Sequence, residues 1–193
     1  DLQIAQGRGK AGVLLALGKS GDSSGFPILA AAASDQDEMI RLAAYAALAD
    51  LGDSRGALVL LKSYESEKGQ TRFQALGEIF RLAEARSKLG FRAEAVRTYR
   101  GLFGKIREEG NPSAISACLQ GLAANMDAGS LEELKIALGS EDPDLRAVAV
   151  RAASSTPGAA ADAFWLAALQ EKKGRAAVLE VLRLRGKKSS LPA

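Results

Sequence analysis

Four arginines, Arg92, Arg97, Arg100 and Arg107, fall within one short stretch of the chain. At i, i+3 and i+10, three of them share one side of a helix, where guanidinium groups can hold phosphate or carboxylate oxygens. They stand in a basic middle: residues 81–107 carry eight Lys or Arg against Glu84 and Glu94. Residues 171–188 carry seven against Glu171 and Glu180, although the whole chain is only +3. Such unevenness favours an anionic partner. The competing reading is a solvated face, with Glu94 and Glu108 offsetting the cluster. The arginine face itself lacks interleaved aromatics for stacking bases.

Other chemistry is sparse. The chain has no histidine and one cysteine, Cys118. That removes Ser-His-Asp and Cys-His catalysis, His-containing metal sites and any internal disulfide. Cys118 occupies a slot that other repeats fill with Val13, Ala44, Ala75 and Ala149, so it reads as a small buried hydrophobe. Gly7-x-Gly9-x-x-Gly12 matches a dinucleotide fingerprint as a string. That fingerprint needs a buried strand before it, and here a helical pattern runs straight through. Gly18-Lys19-Ser20 resembles the end of a phosphate loop, with Val13 to Leu17 before it forming a helix face. Glu108/Glu109 and Glu132/Glu133 are adjacent on helices, so their carboxylates diverge by about 100°. Phe164-Trp165 could anchor a ligand but has the spacing of a core pair beside Leu166 and Leu169. The expectation is a protein without catalytic residues, cofactor or metal.

The elements that carry these residues follow one register. Lys10, Arg41, Arg72, Ile115, Arg146 and Ala177 are separated by 31, 31, 43, 31 and 31 residues. Four positions on stand Leu14, Tyr45, Leu76, Leu119, Val150 and Val181; seven positions on stand Leu17, Leu48, Ile79, Leu122, Ala153 and Leu184. A period of this size marks a solenoid of units that cannot bury their own faces alone. The spacing predicts eleven helices, at 2–20, 24–33, 36–51, 54–66, 69–89, 91–109, 112–126, 129–139, 142–154, 157–170 and 172–186. Ile40, Ala44, Ala47, Leu48 and Leu51 form the inward face of the third. Ala57, Leu58, Leu60 and Leu61 are read as inward on the fourth, and Phe91, Ala95, Tyr99, Leu102 and Ile106 on the sixth. Ser34, Asp35 and Asp37 offer N-caps and Gly52 a stop. Asn111-Pro112 and Asp142-Pro143 pair a cap with a first-turn proline. No period-two run argues for a strand.

The stretch Asp35-x-Asp37-x-x-Ile40-Arg41-x-Ala43-Ala44-x-Ala46-Ala47-Leu48-x-x-Leu51-Gly52-Asp53 resembles a HEAT repeat, of the short bacterial kind first named from phycobilisome lyases. Glu141-Asp142-Pro143-Asp144-Leu145-Arg146-x-x-Ala149-Val150 is similar to its opening, and Leu15-Ala-Leu-Gly18-x-x-Gly21-Asp22 to its ending. The resemblance implies an all-α, right-handed α-α superhelix of antiparallel pairs, one domain over 1–186 with a disordered tail at 187–193. Its units lie near 1–33, 34–68, 69–110, 111–140 and 141–171, with a terminal helix at 172–186. It also implies that Arg41, Arg72 and Arg146 are structural, and that second helices line a concave groove holding Arg92, Arg97, Arg100 and Arg107. The longer unit at 69–110 is similar, over Gly90 to Leu102, to the second helix of a tetratricopeptide repeat.

The functional expectation is a scaffold binding a protein or peptide partner in that groove. The first alternative is a nucleic-acid-binding HEAT-like protein with a basic groove around 91–109. The weaker one is a bilin lyase-type protein, suggested only by the repeat subtype. No apolar run reaches the ~18–20 residues of a membrane span. The chain starts at Asp1, as expected of a processed chain or one module of a larger one, and both cytoplasm and periplasm stay open.

Overall fold

A computed structural model describes residues 7–125 and 128–189. Among them the regular structure is entirely helical. The contacts divide the chain into two compact units, residues 1–94 and 95–193.

The N-terminal unit holds α1 (Arg8–Lys19), α2 (Phe26–Ala32), α3 (Glu38–Leu51), α4 (Gly56–Ser66) and α5 (Gly69–Lys88), with a 3-10 turn at Ser23–Gly25. Each stop and start has a local cause. The Asp37 carboxylate accepts from the Met39 amide at 2.8 Å and caps α3. Gly52 ends that helix in the left-handed region at φ 69°, where a side chain would be strained. The first helices α1, α3 and α5 pack in sequence, with α2 and α4 beside them. The register marks their shared core: Leu14, Tyr45, Leu48, Leu76 and Ile79 are buried. Gly18 sets the closest approach, since a Cβ there would lie 2.5 Å from the Ala47 carbonyl oxygen.

The boundary between the units falls within α6 (Arg92–Glu109). The C-terminal unit continues with α7 (Pro112–Asn125), α8 (Ala128–Leu138), α9 (Pro143–Ser154), α10 (Ala159–Ala168) and α11 (Arg175–Ser189). Here α9 packs against α7, α8 and α11, and α10 joins α8 and α11. The Asp142 carboxylate caps α9 through the amides of Asp144 and Leu145, and Asn111 caps α7 through Ala114. Gly121 leaves room for the Tyr99 ring, which a Cβ at that position would strike. Leu119, Leu122, Ala153 and Val181 are buried, while Val150 and Leu184 are half-buried.

All eleven predicted helices are present, as in an α-solenoid. α5 and α6 are the two longest, at 20 and 18 residues, as the long third unit requires. Two inward assignments need correction. Leu58 is 60% exposed, because Gly56, Leu60, Ser63 and Tyr64 form the buried stripe of α4 and Leu58 lies about 200° from Leu60. Phe91 is 47% exposed and precedes α6, its ring covered by the Arg86 guanidinium 3.7 Å from the centroid. The C-terminal helix starts three residues later than the periodicity suggests and runs on to Ser189; residues 190–193 lie outside the described residues, as do 1–6.

The close crossing at Gly18 predicts opposite outcomes for two glycines of one helix. Gly18→Ala should cost about 1–3 kcal/mol in urea unfolding, because backbone rather than a movable side chain opposes the new methyl. Gly12→Ala, with nothing within 4 Å, should gain about 0.5–1 kcal/mol from helix propensity.

Candidate functional site

Three of the four cluster arginines of α6 lie in the C-terminal unit, and Arg92 lies in the N-terminal one. Ala95, Val96, Tyr99, Leu102, Phe103 and Ile106 form the buried stripe of the helix and turn the arginines outward. Arg92, Arg97 and Arg107 are exposed. Arg100 is half-buried and reaches Glu133 of α8 at 3.5 Å. The Arg107 guanidinium sits 6.0 Å from the Phe103 ring. Glu94 pairs with Arg86 at 2.8 Å.

The repeated cations of the register behave differently. Arg41 Nη1 donates to the carbonyls of Asp35 and Gln36 at 2.9 and 3.0 Å. Its Nε and Nη2 edge holds Glu67 at 2.5 and 3.5 Å, and the Tyr45 hydroxyl donates to the same carboxylate at 3.0 Å. Burial raises the pKa of that phenol, keeping it a donor. Lys10 makes the matching pair with Asp35 at 2.5 Å. The Lys10 ammonium and the Asp37 amide hold the Asp35 carboxyl below its ordinary value. Arg72 Nε donates to the Tyr64 carbonyl at 3.0 Å, its guanidinium lying over the Tyr64 ring. Arg146 Nη1 donates to the Ser140 carbonyl at 2.6 Å. Arg41, Arg72 and Arg146 tie a helix to the segment before it, and Lys10 and Arg41 also reach a carboxylate in the turn after the following helix, which is a structural use of charge.

The other candidates settle into the fold. Gly7 is the N-cap of α1 and Gly12 lies inside that helix, so no phosphate loop forms there. Gly18 is buried at the α1–α3 crossing. Glu132 pairs with Lys135 and Glu133 with Arg100, while Glu108 and Glu109 are exposed. Trp165 is fully buried, donating to the Thr156 hydroxyl at 3.2 Å with Phe164 edge-on to it. Burial pushes the Cys118 thiol up to about 12.

Several organising residues gave no sequence signal. Arg81 reaches Asp50 and the Ala46 carbonyl, and Arg86 reaches the Gly52 carbonyl, both at the end of α3. Arg185 binds Asp162 and the carbonyls of Thr156 and Gly158. Glu67 was legible in principle, standing 26 residues after Arg41 as Asp35 stands 25 after Lys10.

Residues 6–79 match the family model of HEAT repeats. Residues 6–79 carry HEAT repeats. The match covers α1 to α4 and the first half of α5, where the Lys10–Asp35 and Arg41–Glu67 pairs lie. Comparison with curated proteins yields no match. Among the described residues no helix is long and apolar enough to cross a membrane, and no group of three or more His, Cys, Asp or Glu could hold a metal ion.

Two measurements check these placements. Cys118 should resist a thiol reagent at pH 8 in the native protein and react at once in denaturant, because only the exposed thiolate attacks. Asp53, held by the Arg55 guanidinium, is lowered from 3.8 to about 2. Its folded value is the depressed one, so its stabilisation is full above pH 3.8 and is lost as pH falls toward about 2. Asp53→Asn should therefore lower the melting temperature at neutral pH and flatten its fall across that window.

Proposed function

We propose that this chain is a non-catalytic protein-interaction module whose second helices meet the partner. HEAT repeats generally mediate protein–protein interaction. The observation that supports the reading here is a recurring exposed apolar residue on the second helices. In the N-terminal unit Ile28 of α2 and Leu58 of α4 are 45% and 60% exposed. In the C-terminal unit Ile136 of α8 and Leu166 of α10 are 49% and 56% exposed. Both pairs stand 30 residues apart, close to the repeat length. On the first helices the exposed Val13, Met39 and Phe73 of α1, α3 and α5 stand 26 and 34 residues apart, so successive helices do not repeat one position. A scattered exposed Leu means little, whereas a row repeated on adjacent helices is the kind of surface a partner covers.

A second reading, nucleic-acid binding at α6, has the exposed Arg97 and Arg107 in its favour and the Arg100–Glu133 pair against it. The deciding experiment pairs two assays. Partner capture from the source cells should fall at least about tenfold in Ile28→Ser/Leu58→Ser or Ile136→Ser/Leu166→Ser, a loss of hot-spot size, with the melting temperature kept. Capture unchanged in both variants contradicts the reading. Random duplex DNA should not bind at low salt. Binding whose salt slope shrinks in Arg97→Gln/Arg107→Gln would put the nucleic-acid reading in its place.

A further inference from the structure

The register that pairs cations with carboxylates in the N-terminal unit is broken at one equivalent position in the C-terminal unit. Arg41 and Glu67 are 26 residues apart and line one cavity of about 570 Å³ between α2, α3 and α4. Arg146 is the register equivalent of Arg41, and 26 residues beyond it stands Lys172, while Glu171, at the 25-residue spacing of Lys10 and Asp35, turns to Lys135 instead. Arg146 and Lys172 likewise line one cavity, of about 500 Å³, together with Arg175 and Glu180. A cation thus stands where the other unit supplies a carboxylate.

The two arginines are held alike up to that point. Each gives Nη1 to the carbonyl six residues earlier, Asp35 for Arg41 and Ser140 for Arg146. In Arg41 the Nε and Nη2 edge then holds Glu67. In Arg146 no protein acceptor takes that edge among the described residues. Arg175 is fixed by the carbonyls of Leu169 and Gln170, which secures its charge at the rim. Of the acids nearby, Glu171 pairs with Lys135, Asp142 caps α9 and Glu180 pairs with Arg183. Gly139 and Gly174 bring the two turns of the cavity wall together, a Cβ on Gly174 lying 3.2 Å from the Gly139 backbone.

We propose that Arg146, Lys172 and Arg175 form an oxyanion-binding site, which takes a carboxylate or phosphate group where the N-terminal unit places its own Glu67. A planar guanidinium edge matches either oxyanion in a two-bond grip, and the lysine adds a point charge. The site does not depend on which surface a protein partner covers.

The test titrates the protein with acetate and, separately, with inorganic phosphate, holding ionic strength with chloride and following the amide resonances of Gly139 and Gly174. At least one probe should shift them to saturation, and the comparison of the two identifies the oxyanion. Lys172→Gln should weaken that response about tenfold, the size of one lost charge-assisted contact, at unchanged melting temperature. Lys172→Glu should abolish it and raise the melting temperature at low salt, because the new carboxylate restores the missing pair with Arg146. Silence with both probes overturns the site, and so does a response that survives in Lys172→Glu. A Lys172→Glu protein melting at or below the parent overturns the register equivalence.

Discussion

The guanidinium of Arg41 meets the end of one helix pair and the end of the next at the same time. One edge holds the carbonyls of Asp35 and Gln36 in the turn before α3, and the other holds Glu67 in the turn after α4. A solenoid repeat has no core of its own and is stable only through its neighbours. Whatever fixes the spacing from turn to turn therefore fixes the stack. Apolar burial supplies most of the stabilisation, through Leu14, Tyr45, Leu48, Leu76 and Ile79. It is non-directional, however, and the arginine and its carboxylate add the direction. Buried polar atoms follow the same discipline, since among the described residues no buried side-chain nitrogen or oxygen lacks a partner.

Much of this was legible because a helix that packs on both sides must repeat its small and apolar residues at fixed places. Positions four and seven after each anchor gave the core, and Asp37, Gly52 and Asp142-Pro143 gave the boundaries. Capping is local, a side chain meeting an amide two or three residues on, so sequence spacing captures it. The errors have one origin. Leu58 and Phe91 are large and apolar, which reads as inward, yet the angular position of Leu58 on α4 and the place of Phe91 before α6 put them outside. Arg55, Arg81, Arg86 and Arg185 stayed silent because a long side chain chooses among several carbonyls within reach, and no period encodes that choice. The candidate cluster on α6 was recognised as an outward face, but the Arg100–Glu133 pair depends on how α8 lies beside α6.

The same division of labour frees part of the surface for function. First helices carry the anchors and most of the packing, so substitutions on the outward side of the second helices leave the stack intact. Ile28, Leu58, Ile136 and Leu166 occupy that side. Charge is distributed on a similar principle. Where a cation finds its carboxylate, as at Lys10 and Arg41, it is structural; where the carboxylate is replaced by Lys172, the arginine retains donors that the fold does not need.

The central claim is that the Arg41–Glu67 contact ties together the two turns that bracket the α3–α4 pair, and a double-mutant cycle measures that coupling directly. Unfolding free energies of the parent, Arg41→Gln, Glu67→Gln and the double variant give the interaction term. A coupling of about 1–3 kcal/mol at low salt, as for groups within one hydrogen-bonded network, is the predicted result. Additive losses, with coupling no larger than about 0.3 kcal/mol, would contradict the account and leave apolar packing alone to set the spacing of the repeats.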